Sequence, residues 1–344
     1  MANPILINKK IKDYNKKINV SSDKSISIRW ALIASQAIGK SKASNLLISE
    51  DVLSTLNCLK KLGIKVNLNK KKQTCEIFGK GINGFNYKKN ITLNANNSGT
   101  LARLICGLLV KSKNKIKIIG DKSLSRRDFS RVIDPLNKFG VNFYPKFKKK
   151  LPLKIIGTDF LRPIRFVEKK GSAQVKSLLI FAGMNAPGTT TIHAKRSRDH
   201  TEKFLKHLKI PIKITKKHNY DVIEISETKK ISPIDYKIPG DISSASFFIV
   251  LTILSKNSKL LIKNILTNPT RTGIVTILKK MGAKIILKNK RSYKGEQISD
   301  IFVKSCNSLK SINCPEKYNA NAIDEFLIIF LVAARANGCS YFKN

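Results

Sequence analysis

Three stretches of this 344-residue chain gather hydroxyl, amide and cationic side chains at the head of an apolar-periodic run. Lys24, Ser25 and Arg29 open SISIRWALIASQAIG, Asn97, Ser98, Gly99 and Arg103 open SGTLARLICGLLV, and Ser172, Ala173, Gln174 and Lys176 open SAQVKSLLIFAGM. Ser, Asn and Gly cap helices and leave the first backbone N–H groups available. That end of a helix attracts anions through its free donors and its dipole, and an Arg fork matches carboxylate or phosphate. Capping alone explains any one of these starts. Several starts that each carry Lys, Arg or Gln within one turn point instead to small anionic ligands. Arg126, Arg127, Ser197 and Arg198 stand near the starts of further helical segments and extend the pattern.

The elements that must position these residues repeat along the chain. Apolar-striped helical segments begin at Ser25, Ser98, Ser172, Ser243 and Ile323. In the second of them Leu101, Leu104, Ile105, Leu108 and Leu109 follow the i, i+3, i+4, i+7 rule. A second, amphipathic class runs into a turn and a strand: SEDVLSTLNCLKKLGIKV, SRRDFSRVIDPLNKFGVNF, SRDHTEKFLKHLKIPIKI and TRTGIVTILKKMGAKII, with turn positions at Gly63, Gly140, Lys209 and Gly282. Strand-like runs lie between, among them NKIKIIG, GTTTIHAK, YDVIEIS and SKLLIKN. Recurrence every 70–75 residues predicts a repeated helix, strand, helix, strand-pair unit, and so an α/β (α+β) chain with β-rich sheets covered by helices.

Composition bounds the function. The formal charge of +44 comes from 66 Lys and Arg against 22 Asp and Glu. Such an excess favours polyanions in general, but the lysines are scattered, and one Trp and 7% aromatics leave no stacking platform beside them. No nucleic-acid role is expected. The six cysteines form no CxxC pair and do not cluster with the four histidines, so neither zinc nor a disulfide framework is indicated, and they read as reduced core residues. MANPILINKK is no secretory segment and the longest apolar runs fall short of a span. A soluble, cytoplasmic protein without a membrane role is expected. Gly79, Gly81 and Gly84 satisfy GxGxxG with no helix following, His200 and His207 read as a solvated helix face, and the Lys70–Lys72 and Lys148–Lys150 runs read as exposed loops.

In order and spacing, SSDKSISIR, NNSGTLAR, SLSRRDFSRVIDPL, GSAQVKS, SRDHTEKFL, PGDISSASFF, NPTRTG and IDEFLIIFLVAARANG resemble 5-enolpyruvylshikimate-3-phosphate (EPSP) synthases, and SAQVKS and SRDHTEK resemble the bacterial branch called class II. The resemblance covers essentially the whole chain. It implies a two-domain enolpyruvyl transferase fold of βαβαββ units: residues 21–240 carry three units on the shikimate 3-phosphate side, and residues 1–20 plus 241–344 form the second domain. It implies helix starts converging on an interdomain cleft that takes shikimate 3-phosphate and phosphoenolpyruvate. Carried over residue by residue, Lys24, Ser25, Arg29, Ser172, Ala173, Gln174, Ser197, Arg198 and Asp324 would hold shikimate 3-phosphate. Lys24, Asn97, Gly99, Arg127 and Gln174 would hold phosphoenolpyruvate. Lys24 would assist proton transfer and Asp324 would take the proton of the 5-hydroxyl. A glycine at position 99 implies a pocket open to the inhibitor glyphosate. No metal or cofactor is implied, and a monomer is expected.

The match has departures. Ser21-Ser22 replaces a usual Pro-Gly, and Ile28 a usual His. Matching sequences continue past the last helix with further cationic segments, and the period places a sixth helix start near residue 395. The expectation is therefore a chain with its last repeat missing and inactive alone. Two rivals share the repeat. One is a transferase acting on UDP-N-acetylglucosamine, whose loop cysteine has no counterpart in GDKSLSRRD. The other is an RNA-end-processing protein, for which the aromatic platforms are lacking.

Overall fold

The computed structural model describes residues 6, 11–147 and 149–343. The rest of the expected second-domain terminus, Asn344 and Lys148 of the Lys148–Lys150 run lie outside the described residues. The chain divides into two units. The larger holds Ser22–Pro239 with Tyr293–Glu296, and the smaller holds the chain through Ser21, Gly240–Ser292 and everything from Gln297. The four residues Tyr293–Glu296, expected within a 241–344 block, thus belong to the larger unit, where Glu296 meets His200 and the Tyr293 hydroxyl accepts from the Lys237 amide.

Strand β1 (Asn15–Ile18) belongs to the smaller unit. The larger unit opens with α1 (Lys24–Ser35), β2 (Ile38–Ser44), α2 (Glu50–Lys61), β3 (Lys65–Asn69) and β4 (Thr74–Lys80). Its second repeat runs through β5 (Thr92–Asn94), α3 (Gly99–Leu108), β6 (Ile116–Ile119), α4 (Lys122–Arg126), α5 (Ser130–Lys138), β7 (Asn142–Tyr144) and β8 (Leu153–Ile156). The third comprises β9 (Arg165–Glu168), α6 (Ala173–Gly183), β10 (Thr189–Lys195), α7 (His200–His207), β11 (Ile212–Lys216) and β12 (Tyr220–Ser226), followed by β13 (Tyr236–Lys237). The smaller unit continues with α8 (Ile242–Leu254), β14 (Lys259–Leu266), α9 (Gly273–Lys280), β15 (Ile285–Tyr293), β16 (Glu296–Lys304), β17 (Asn313–Cys314), α10 (Asn319–Ala322), α11 (Phe326–Ala333) and β18 (Tyr341–Phe342).

Each four-stranded sheet of the larger unit follows one plan: a parallel edge strand, its neighbour, then an antiparallel pair, in the orders β5-β6-β8-β7, β9-β10-β12-β11 and β13-β2-β4-β3. The first repeat takes its edge strand from the far end of the unit, with Tyr236 opposite Ala43 and Lys237 opposite Ser44. The smaller unit repeats the plan as β1-β14-β16-β15, its parallel edge supplied by β1. The three striped helices of the larger unit lie inside it. Ten of twelve residues of α1, nine of ten of α3 and nine of eleven of α6 are buried, as expected for helices apolar on nearly every side.

Amphipathic helices end where the pattern placed their turns. Gly63, Gly140, Lys209 and Gly282 all adopt the left-handed conformation, with φ of 82°, 97°, 57° and 95°, which satisfies the last carbonyls of a helix and sends the chain into a strand. At Gly63 a side chain is excluded outright, because a Cβ would stand 1.9 Å from the Asn86 carbonyl oxygen.

Three expectations are corrected. The segment SRRDFSRVIDPLNKF is two helices, and Arg127 lies in the break with extended backbone. The helix expected from Ile323 begins at Phe326, because Ile323–Glu325 form a turn that carries Glu325 to Ser243 and Arg271. Of the cysteines, Cys58, Cys75, Cys106 and Cys314 are buried, but Cys306 is half-buried and Cys339 exposed, and all six are free. Burial pushes the thiols of Cys58, Cys75 and Cys106 up to about 12, so they stay protonated and inert. In the smaller unit α8 and α11 expose Phe247, Leu327 and Leu331. Among the described residues no helix is long and apolar enough to cross a membrane.

Candidate active site

In the larger unit the helix starts are built by side-chain caps. Asp23 accepts from the Ile26 amide at 2.8 Å, Ser98 from Leu101 at 3.2 Å and Ser172 from Val175 at 3.4 Å. Each fixes where its helix begins and leaves neighbouring N–H groups uncommitted. Trp30 anchors α1 from beneath, its indole N–H donating to the Ile234 carbonyl at 3.1 Å.

Two hydrogen-bonded groups join these starts, with α6 common to both. On one side Arg103 of α3 donates to the Gly99 carbonyl at 3.1 Å and to Gln174 Oε1 at 3.0 Å, while Gln174 Nε2 donates to Thr100 Oγ1 at 3.0 Å. Both ends of the Gln174 amide are therefore held. Arg103 lies over the Phe129 ring at 5.2 Å, and burial, then the nearby Arg127 and Arg131, lower its affinity for its proton. Arg127 is exposed, and its Nη1 stands 3.0 Å from where a Cβ on Gly99 would be. Two guanidinium groups thus flank the backbone of Gly99. Asn97 is exposed and donates to Asp121, whose carboxyl is held below its usual range first by the Leu124 amide and then by Asn97.

On the other side of α6 Arg29 is sunk beneath the surface, 3% exposed. Its Nε donates to Thr201 Oγ1 at 2.9 Å, Nη2 to Ser177 Oγ at 3.2 Å and Nη1 to the Ser25 carbonyl at 3.2 Å. Thr201 and Ser177 also bond each other at 2.7 Å. Burial brings the Arg29 guanidinium down to about 10, with Glu202 opposing the shift. The Ser197 hydroxyl is buried without a hydrogen-bond partner among the described residues, and Arg198 follows it, half-buried. Lys24 is half exposed and pairs with Asp51 at 2.9 Å. An exposed pair of this kind is worth about 0–1 kcal/mol, so an incoming anion can displace it. Ser172, Ala173 and Gln174 are all half-buried at the α6 start.

Asp324 belongs to the smaller unit, exposed in the turn before α11. The buried carboxylate there is its neighbour Glu325, which accepts from the Ser243 hydroxyl; Arg271 donates to Ser243 Oγ at 2.7 Å and lies 3.3 Å from Asp241. Arg271 could be found in the sequence within NPTRTG, whereas nothing local marked Glu325 over Asp324.

Sequence reasoning missed two buried pairs. His200 is no solvated face: its ring is fully buried, with Nδ1 2.7 Å from Glu296 Oε1, a partner too distant in sequence to signal itself. Lys176 and Glu202, 2.6 Å apart, are 1% and 2% exposed. Among the described residues no cluster of His, Cys, Asp and Glu could hold a metal ion.

Comparison with known proteins speaks to fold and to family. At the level of fold, the crystal structure of the enolpyruvyl transferase NikO from Streptomyces tendae aligns over 95% of this chain and 74% of its own with a TM-score of 0.71 at 13% identity. The chain therefore has the enolpyruvyl transferase fold. The EPSP synthase model, described as 3-phosphoshikimate 1-carboxyvinyltransferase, matches residues 8–344. The 3-phosphoshikimate 1-carboxyvinyltransferase of Petrotoga mobilis is 40% identical over 332 residues, 96% of this chain and 76% of its own length. The Caldicellulosiruptor bescii protein of that name is 41% identical over 330 residues, covering 94% and 74%. The EPSP synthase structure from Acinetobacter baumannii aligns with a TM-score of 0.86 at 34% identity over 95% of this chain and 73% of its own. The chain belongs to the EPSP synthase family.

Proposed function

We propose that this protein transfers the enolpyruvyl group of phosphoenolpyruvate to the 5-hydroxyl of shikimate 3-phosphate with release of phosphate, acting as a cytoplasmic monomer. The observation that carries the reading is the pair of hydrogen-bonded groups on α6: Arg103 and Gln174 toward α3, Arg29 and Ser177 toward α1 and α7. Side chains of this kind suit two anions held side by side. Ser25, Arg29, Ser172, Ala173, Ser197 and Arg198 would hold the sugar phosphate and its carboxylate. Asn97, Gly99 and Arg127 would hold phosphoenolpyruvate, with Lys24 and Gln174 serving both.

In the reaction C3 of phosphoenolpyruvate gains a proton, the 5-hydroxyl oxygen bonds to C2 and gives up its proton, and the C2–O bond to phosphate then breaks as C3 returns a proton. Lys24 supports the proton transfer and Asp324 is the acceptor for the hydroxyl proton. Fixed guanidinium and backbone donors hold the negative charge of the two ligands without reorganising during the reaction. Phosphate release from phosphoenolpyruvate in the presence of shikimate 3-phosphate, together with calorimetric binding of shikimate 3-phosphate, tests this reading against the expectation, drawn from the repeat, of a chain inactive alone. Neither binding nor turnover, or turnover with UDP-N-acetylglucosamine instead, would overturn it.

A further inference from the structure

Beneath Ser197 and Arg198 lies a buried charge pair whose partners come from two helices. Lys176 Nζ is 2.6 Å from Glu202 Oε1 and also donates to the Ser197 carbonyl oxygen at 3.4 Å. Both side chains are sealed, and the second carboxylate oxygen of Glu202 has no hydrogen-bond partner among the described residues. Burial pushes the Glu202 carboxyl up, with Lys176 opposing. Keeping this pair in the interior is costly, and apolar residues of similar volume commonly hold such a place at least as well. Packing alone does not account for it.

Its surroundings do. Lys176-Ser177 of α6 faces Thr201-Glu202 of α7: the first residue of one dipeptide meets the last of the other, and the two hydroxyls between them receive Arg29 from α1. One network therefore sets the relative register of α1, α6 and α7. Its contact with the anion-binding turn is the Lys176 bond to the Ser197 carbonyl, which fixes that peptide plane. The Ser197 hydroxyl, 92% buried by residue and without a hydrogen-bond partner among the described residues, is held next to it.

We infer that Lys176 and Glu202 are positioning residues for the sugar-phosphate half of the site: Glu202 aims the Lys176 ammonium, and Lys176 orients the Ser197–Arg198 turn for a phosphate monoester. The inference rests on the functional reading above. It concerns one ligand only, because the Arg103, Gly99 and Arg127 group on the other side of α6 does not touch this pair.

The sign of one substitution separates positioning from bulk electrostatics. Removing a carboxylate near a dianion should tighten binding by Coulomb's law alone, whereas a positioning role demands the opposite. With the unsubstituted protein as reference, Glu202→Gln should raise the Kd for shikimate 3-phosphate at least fivefold and leave the KM for phosphoenolpyruvate within threefold. Lys176→Met combined with Glu202→Met should recover the melting temperature lost in Lys176→Met yet keep shikimate 3-phosphate affinity at least tenfold weakened. Tighter or unchanged binding by Glu202→Gln overturns the inference, as does recovery of affinity along with stability in the double variant. If the double variant does not fold, Glu202→Gln decides alone. Absence of shikimate 3-phosphate binding by the unsubstituted protein would instead overturn the functional reading, and this inference with it.

Discussion

Lys24 and Arg127 present their charge at the surface, whereas Arg29 and Arg103 are buried and held in place by internal partners. The first two are exposed cations beside helix starts, one holding a weak ion pair with Asp51. The second two are oriented by bonds to Thr201, Ser177, Gly99 and Gln174 that use only part of their five donors each. We expect Lys24→Ala and Arg127→Ala each to lower kcat/KM at least a hundredfold, about 2.7 kcal/mol of transition-state stabilisation. Initial rates of phosphate release check this, and activity within fivefold of the unsubstituted enzyme would remove the residue from the site. Gly99→Ala is a different case. The new methyl would stand 2.6 Å from Arg103 Nη1 and 3.0 Å from Arg127 Nη1; exposed Arg127 can swing aside, whereas Arg103 must shift against its bonds to Gly99 and Gln174. The expected result is a raised KM for phosphoenolpyruvate and weaker glyphosate inhibition in a variant that still folds cooperatively in a thermal melt. Inhibition constants that match between the two forms would exclude position 99 from the pocket wall.

At the scale of elements, the meeting of α3 and α6 decides where Gln174 and Arg103 can find each other. The two helices approach closely at Gly107, where a Cβ would come within 2.4 Å of the Leu178 carbonyl oxygen and 3.0 Å of the Phe181 Cβ. Backbone cannot yield as a guanidinium can. Gly107→Ala should therefore destabilise the protein by roughly 1–3 kcal/mol through overpacking, despite the better helix propensity of alanine. A urea unfolding midpoint reads the effect, and a variant as stable as the parent would mean the helices move apart without cost. The sequence shows Gly107 only as an unfavourable residue in mid-helix. Its reason lies 71 residues away on α6.

Over the whole molecule, 66 cationic residues face 22 carboxylates, so most lysines have no carboxylate to pair with and repel one another. Raising ionic strength from about 0.01 M to about 0.15 M shortens the screening length from about 30 Å to about 8 Å. The melting temperature should rise as self-repulsion is screened, while the KM for both anionic substrates should rise because the attracting field weakens. Thermal melts and initial rates across a sodium chloride series test the two trends. A melting temperature that falls with salt would mean that solvent-facing pairs such as Lys24 with Asp51 outweigh the net charge.

The sequence by itself determined what is local and periodic. Apolar spacing placed the striped helices, the turn positions from Gly63 to Gly282 emerged from where each periodic run stopped, and the hydroxyl, amide and cationic side chains at Ser25, Asn97 and Ser172 marked helix starts suited to anions. All of these depend on neighbours within a few residues, so a linear reading recovers them. Only the tertiary structure decided which of those residues stay at the surface and which are held from within. It set Arg29 among Ser177 and Thr201, paired Lys176 with Glu202 and His200 with Glu296, closed the first sheet with Tyr236–Lys237, and turned Glu325 rather than Asp324 inward. These outcomes depend on residues dozens of positions apart competing for the same buried hydrogen bonds. Desolvation makes an unpartnered polar group costly inside, so the winner of each contest is fixed by the packing of the assembled elements and leaves no mark in the local pattern.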